Sequence, residues 1–177
     1  IPAEGPQPVS FDDGDEIGGD LRLEVQPPSE GGDGFATRIT ITNTGDRERW
    51  IDLSVPYTLD LDGPIQWFDA FNFTPHDVGE HAVKQHGISA VLPLTAAWDG
   101  QTGIAMAFDP MDWYTEAHAS IRPTAGGHQM RLGSRLALSG GEAHTFTVNV
   151  FPYDGSTGWR GAFDAFWSLF PEVYERA

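Results

Sequence analysis

With 177 residues, 40% of them hydrophobic and 12% aromatic, the chain is long enough to bury a core and too apolar to remain disordered. Asp and Glu number 26 against 10 Lys and Arg, a formal net charge of −16, which sets the surface against nucleic acid phosphates and anionic membranes and favours cations, neutral ligands or basic partners. There is no cysteine, hence no disulfide, thiolate zinc site or cysteine nucleophile, and no apolar run approaches the ~18 residues of a membrane span.

Residues 1–20 are rich in Pro, Gly and Asp and read as an irregular acidic lead-in, with Val9 and Phe11 as anchors. Leu21, Leu23 and Val25 then alternate with Arg22 and Glu24, the period of a half-buried strand. Phe35, Thr37, Ile39 and Ile41 repeat the pattern, and so do Ile51, Leu53, Val55, Tyr57, Leu59 and Leu61, with Pro56 marking a sheet edge or bulge. Asn43-Thr44-Gly45-Asp46 between these two runs reads as a hairpin turn. Ile65, Trp67, Phe68, Phe71 and Phe73 fit no single period and suggest a strand followed by an aromatic loop. Segments 91–98, 104–108, 118–121, 130–138 and 146–150 are further strands, with Asp99-Gly100 and Gly140-Gly141 as turns. Short strands at this spacing predict an all-β fold, an antiparallel β-sandwich or supersandwich, over 21–155. Trp159, Phe163, Phe166, Trp167 and Phe170 then fall on one face of a helix, which Thr157 is placed to cap and Pro171 to end. Residues 156–177 are thus expected to form a C-terminal helix and linker toward a missing domain, the helix also covering one end of the sandwich.

Candidate chemistry comes from three clusters. Asp12, Asp13, Asp15 and Asp20, interleaved with Gly14, Gly18 and Gly19, could supply oxygens to calcium, although the run lacks the EF-hand register; a solvated acidic turn is the plain alternative. His76, His81 and His86 recur every five residues, a spacing that aligns on neither a helix nor a strand face, so a loop would have to gather them around zinc. Trp67, Trp113 and Tyr114, with Asp112 beside the last two, are the ligand-binding candidates, because aromatic faces stack on the C–H faces of sugars and carboxylates bond hydroxyls. Phe68 and Trp98 are read as core. Asp69, Asp77, Asp99, Asp109, Asp112 and Glu116 lie near aromatics, but sequence does not say which pair would converge for hydrolysis. No Gly-x-Ser-x-Gly elbow occurs.

Three segments carry a resemblance. Gly103-Ile-Ala-Met-Ala-Phe-Asp-Pro110 is similar to a glycine-led alternating strand ending in Asp-Pro. Thr145 to Pro152 is similar to a Thr-Phe-x-Val-x-Val-Phe-Pro strand. Gly158-Trp159-Arg160, then Phe166-Trp167 and Phe170-Pro171, is similar to a helix opening on Gly-Trp-Arg and closing on Phe-Pro. In this order they resemble the N-terminal β-sandwich region of large glycoside-hydrolase-like proteins. The resemblance implies a sandwich that precedes an adjacent catalytic domain of the same polypeptide. It names no catalytic residue.

The expected function is therefore a non-catalytic module that supports or binds carbohydrate. One alternative is a carbohydrate-active enzyme using loop carboxylates; another is a cell-surface structural or adhesion domain. Neither nucleic acid binding nor membrane insertion is expected. Lys84 is the only lysine, and acid excess with arginine in its place reads as adaptation to high salt, where carboxylate repulsion is screened. An acidic secreted domain from a GC-rich genome has the same composition. The expected location is extracellular or at the cell surface, with the cytoplasm of a halophile as the alternative.

Overall fold

The computed structural model describes residues 7–10, 19–26, 29–31, 34–69, 75–78, 83–86, 93–112 and 116–174. Its strands are β1 (Gln7–Ser10), β2 (Leu21–Val25), β3 (Ser29–Gly31), β4 (Gly34–Asn43) and β5 (Arg49–Leu59). There follow β6 (Gln66–Asp69), β7 (Pro75–Asp77), β8 (Val83–His86), β9 (Leu94–Trp98) and β10 (Thr102–Phe108). The last are β11 (Ala117–Thr124), β12 (Gly127–Leu138) and β13 (Ala143–Asp154), before helices α1 (Trp159–Leu169) and α2 (Pro171–Tyr174). Five strands form one sheet in the order β1-β5-β12-β11-β8, and the other sheet runs β2-β4-β13-β10-β9-β6-β7 with β3 paired to β4. Among the described residues every pairing is antiparallel except that of β1 with β5. The fold is the expected all-β sandwich of two sheets.

Alternation explains the packing between the sheets. Ile51, Leu53 and Leu59 of β5, Met130, Leu132 and Leu136 of β12, and Ile39, Ile41, Met106, Phe108, Phe146 and Val148 of the other sheet close one apolar layer. Pro56 of β5 lies beyond Ser54, the last residue that β1 pairs, so its missing N–H costs that ladder nothing.

Two local expectations change. The turn after β4 is not a hairpin, because β4 and β5 belong to different sheets. Asn43 holds the crossing: it is fully buried, its Nδ2 donates to Arg47 O (2.7 Å) and Leu138 O (2.9 Å), and its Oδ1 accepts from Gly45 N (3.1 Å). Alternating strands on either side of a turn look the same in sequence whether they pair with each other or not. Within the segment expected to be irregular, Gln7–Ser10 pairs in parallel with Ile51–Ser54 and extends the five-stranded sheet.

The helix forms a third layer. It lies on the outer face of the larger sheet, against β9, β10 and β13, and not over one end of the sandwich. Phe163, Phe166 and Phe170 bury against Phe68, Leu94, Trp98 and Phe151 over a floor of Ala96, Ala105 and Ala107. With apolar layers on both sides, β9 is buried at all five residues. The Gly-Trp-Arg start of the helix has a physical reading. Gly158 stands at φ 61°, ψ −147°, a backbone region restricted to glycine. Trp159 then stacks on Phe68 at 5.3 Å, and the Arg160 guanidinium covers the Trp159 ring at 4.6 Å. Thr157 does not cap α1: its hydroxyl donates to Asp154 O (2.6 Å), and the N-cap position is Gly158, which has no side chain to offer. Phe170 leaves helical geometry, after which Pro171 opens α2.

Candidate binding site

Because one face of β5, β11 and β12 points into the core, the alternate residues form the outer face of the five-stranded sheet. Register places Asp52 beside Arg135, Ser54 beside Gly133 and His118, Pro56 beside Arg131 and Ser120, and Thr58 beside Gln129 and Arg122. Trp50 stands at one end of this face, opposite Ala137, and is 53% exposed. Its indole N–H donates to Glu48 Oε1 (3.2 Å).

A polar bridge crosses the middle. His118 on β11 reaches over Gly133 on β12, and its Nε2–H donates to Asp52 Oδ1 on β5 (2.5 Å). Glycine makes this path possible, since a Cβ at 133 would fall within 2.7 Å of His118 Nε2 and closer still to the ring's Cε1 and to Leu53 O. Asp52 also accepts from Arg135 Nε (3.3 Å), whose Nη1 donates to Glu116 Oε2 (3.3 Å). Burial pushes the Asp52 carboxyl up, but the charges of His118 and Arg135 and the hydrogen bonds from both outweigh it and hold the group below its ordinary value. Farther along, one amide oxygen gathers two guanidinium groups: Gln129 Oε1 accepts from Arg122 Nε (3.0 Å), Arg122 Nη2 (2.7 Å) and Arg131 Nε (3.0 Å).

The sequence candidates fall differently. Trp67 is a correction: it is fully buried between the sheets, its Nε1–H donating to Thr95 Oγ1 (2.8 Å), so it has no face to offer a sugar. Its neighbour Phe68 points to the opposite side of the sheet and is buried under α1, as is Trp98. Trp113 and Tyr114 lie outside the described residues. Asp112, just before them, is half-buried and accepts from the backbone N–H of Thr147. The Asp109 carboxylate accepts from Met111 N (2.9 Å) and its backbone N–H donates to Thr147 O (3.0 Å), which ties this turn to β13.

Of the acidic run, Asp12, Asp13 and Asp15 also lie outside the described residues. Asp20 is ion-paired with Arg49 Nη2 (2.6 Å), and that guanidinium opposes a calcium ion at the same carboxylate. Among the described residues no group of three or more His, Asp or Glu is placed to hold a metal. Of the three histidines, His76 lies on β7 with its ring 6.0 Å from Trp67, and His81 lies outside the described residues. Two other carboxylates bond to nearby groups. Asp99 accepts from the backbone N–H groups of Thr102, Gln101 and Asp62, which lower its pKa, and Asp77 accepts from Gln66 Nε2.

Sequence reasoning missed the outer-face residues Trp50, Asp52, His118, Arg122, Gln129, Arg131 and Arg135. One signal was present: Arg131, Gly133 and Arg135 occupy successive outward positions of a single strand, with a glycine where a side chain is the rule.

No family model matches the chain, and no curated protein matches it in sequence. Solved structures that it resembles include the Slr1438 protein from Synechocystis sp. PCC 6803, at 13% identity and TM-score 0.47, covering 75% of this chain and 54% of that one. A TPR-domain containing protein from Parabacteroides distasonis ATCC 8503 matches at 11% identity and TM-score 0.42, over 75% of this chain and 30% of that one. The CBM3a-L domain from the cellulosome scaffoldin cipA of Clostridium thermocellum matches at 12% identity and TM-score 0.32, over 78% and 74%. The chain thus spans about half the length of the first of these and less than a third of the second.

Proposed function

We propose that this chain is a non-catalytic β-sandwich module of a longer, glycoside-hydrolase-like polypeptide, and that it holds carbohydrate for an adjacent catalytic domain. The contrast between its two outer faces supports this most. One is sealed by an aromatic helix. The other carries an exposed indole, Trp50, on the same surface as hydroxyl, amide and guanidinium groups. An aromatic face for sugar C–H groups beside planar hydrogen-bonding groups for hydroxyls is the chemistry of sugar recognition. Trp113 and Tyr114, which follow Asp112 in the sequence, supply a second contact in this reading. On α1, Trp167 (44% exposed) and Leu169 (40% exposed) offer apolar surface to the adjacent domain. A carbohydrate ligand fits an extracellular or cell-surface module.

The test is affinity electrophoresis of the purified chain through gels containing neutral or acidic soluble polysaccharides, with release of reducing sugar measured alongside. Retardation by at least one polysaccharide without hydrolysis is expected, and Trp50→Ala should weaken it while circular dichroism stays unchanged. Hydrolysis, or free migration through every gel, would overturn the reading.

A further inference from the structure

We propose that two copies of this chain pair edge to edge through β2, joining their larger sheets into one continuous sheet. This does not depend on the carbohydrate reading above. β2 is the last strand of its sheet: it pairs β4 on one side, and among the described residues no strand pairs it on the other.

The backbone of the free edge follows from the ladder on the paired side. Thr44 N donates to Asp20 O (2.7 Å) and Gln26 N donates to Arg38 O (2.9 Å), one position beyond each end of the β2–β4 register. Hydrogen-bonded residues alternate in an antiparallel ladder, so Asp20, Arg22, Glu24 and Gln26 turn their backbone groups toward β4. Leu21, Leu23 and Val25 therefore turn theirs outward, where an unpaired edge is a template for another strand. Lysine, proline or a bulge commonly blunts such an edge. β2 reads Leu-Arg-Leu-Glu-Val, with neither residue, and its register on β4 has no bulge.

The occupant is a second copy because the strand is complementary to itself. Antiparallel pairing about a two-fold axis through Leu23 sets Leu23 against Leu23 of the second copy, Leu21 against Val25 and Arg22 against Glu24. The outward-turned residues are the ones that meet, so each of those pairs exchanges both backbone hydrogen bonds. On one side of the joined sheet, Leu21 of one copy covers Val25 of the other, which is 50% exposed in the single chain. On the opposite side lie Arg22 and Glu24, exposed and bonded to each other at 2.6 Å within one copy. Each gains an opposite charge across the seam. An axis through Arg22 or Glu24 would instead set like charges face to face, so the charges select the Leu23 register.

A seam this short belongs with the small, weak interfaces, and the dimer is expected only at micromolar concentrations and above. Each copy carries −16, so approach is opposed at low ionic strength and eased as salt screens the repulsion.

Sedimentation equilibrium of the full chain, from about 1 μM to 1 mM and from dilute buffer to molar potassium chloride, reads the association directly. A monomer–dimer equilibrium that strengthens with salt is expected. At the lowest salt that supports the dimer, Arg22→Glu and Glu24→Arg should each weaken it about tenfold, the second although it lowers the negative charge of the chain. Mixing the two single variants should restore association as a heterodimer, since each then offers the charges that the other lacks. Val25→Pro removes an outward N–H at a half-exposed position and should also weaken the dimer. Equal melting temperatures of the variants at concentrations where all are monomeric separate loss of the seam from loss of the fold. A chain that stays monomeric throughout overturns the proposal and leaves the edge to a strand of another protein. A dimer indifferent to the single charge variants, or one that their mixture does not restore, uses another surface or register and overturns it as well.

Discussion

Replacing Gly133 by alanine should break the polar bridge across the five-stranded sheet. His118 reaches Asp52 only by lying over the strand between them, at a residue without a side chain. The new methyl would meet the imidazole ring, which can swing away, and the Leu53 carbonyl, which belongs to the backbone of β5 and can move only by spreading the strands. Overpacking of this kind costs about 1–3 kcal/mol. Swinging the ring away forfeits a charge-assisted hydrogen bond, about 1.5–3 kcal/mol, moderated because Asp52 keeps Arg135 and some contact with water. The expected loss is about 3–5 kcal/mol, a large share of the roughly 5–15 kcal/mol that holds a typical domain. Urea unfolding at pH 7, followed by tryptophan fluorescence, measures it. Adding His118→Ala to Gly133→Ala should recover only part of the loss, because the collision with Leu53 O remains. A Gly133→Ala protein within about 0.5 kcal/mol of wild type would refute the bridge as described.

Thr95→Val keeps the shape of its site but leaves the Trp67 indole N–H and the Phe68 carbonyl without their hydroxyl partner, and should cost about 2–4 kcal/mol in the same unfolding assay. Removing residues 156–177 should leave an aggregated or unfolded chain, since Phe68, Leu94, Trp98 and Phe151 lose their cover and each large apolar side chain is worth about 1.5–3 kcal/mol buried; a stable monomeric remnant in light scattering would contradict the three-layer packing. Acid should act partly through Asp52. Its folded pKa lies below the ordinary 3.8, so the unfolded chain takes up the proton first, and the stabilisation, complete above the unfolded value, is lost as pH falls through the folded one. Asp52→Asn should therefore flatten the decline in stability below about pH 4, and an unchanged slope would count against it. If the acidic surface is an adaptation to salt, the melting temperature should climb steeply with potassium chloride into the molar range, whereas a flat response would reject that origin for the charge.

Most strands and the helix were legible because alternation and the aromatic repeat are local patterns. Ile51, Leu53 and Leu59 announce an inward face wherever their strand pairs. Partners were not legible: nothing in Asn43-Thr44-Gly45-Asp46 distinguishes a hairpin from a crossing between sheets. Trp67-Phe68 suggested one exposed ring, on the premise that a sheet has one dry side; the helix dries the second side and buries both. The polar bridge was hidden by distance along the chain, His118 and Asp52 standing 66 positions apart. Arg122, Gln129 and Arg131 lie closer together, but only the register of β11 on β12 turns them to one oxygen.

The burial of β9 on both faces has a consequence for how this sequence can vary. In β5 every second residue answers to the core and the others lie on the outer face of the sheet, so accepted substitutions should alternate along it. Leu94, Ala96 and Trp98 answer to the helix, while Thr95 and Ala97 answer to the inter-sheet layer. No position between them is spare. Across a library of single substitutions, β5 should appear as a comb of tolerant and intolerant sites and β9 as an unbroken block. Its alanines should be as restrictive as its tryptophan, because the space Ala96 leaves is the space the helix fills and Ala97 meets the packed inter-sheet layer.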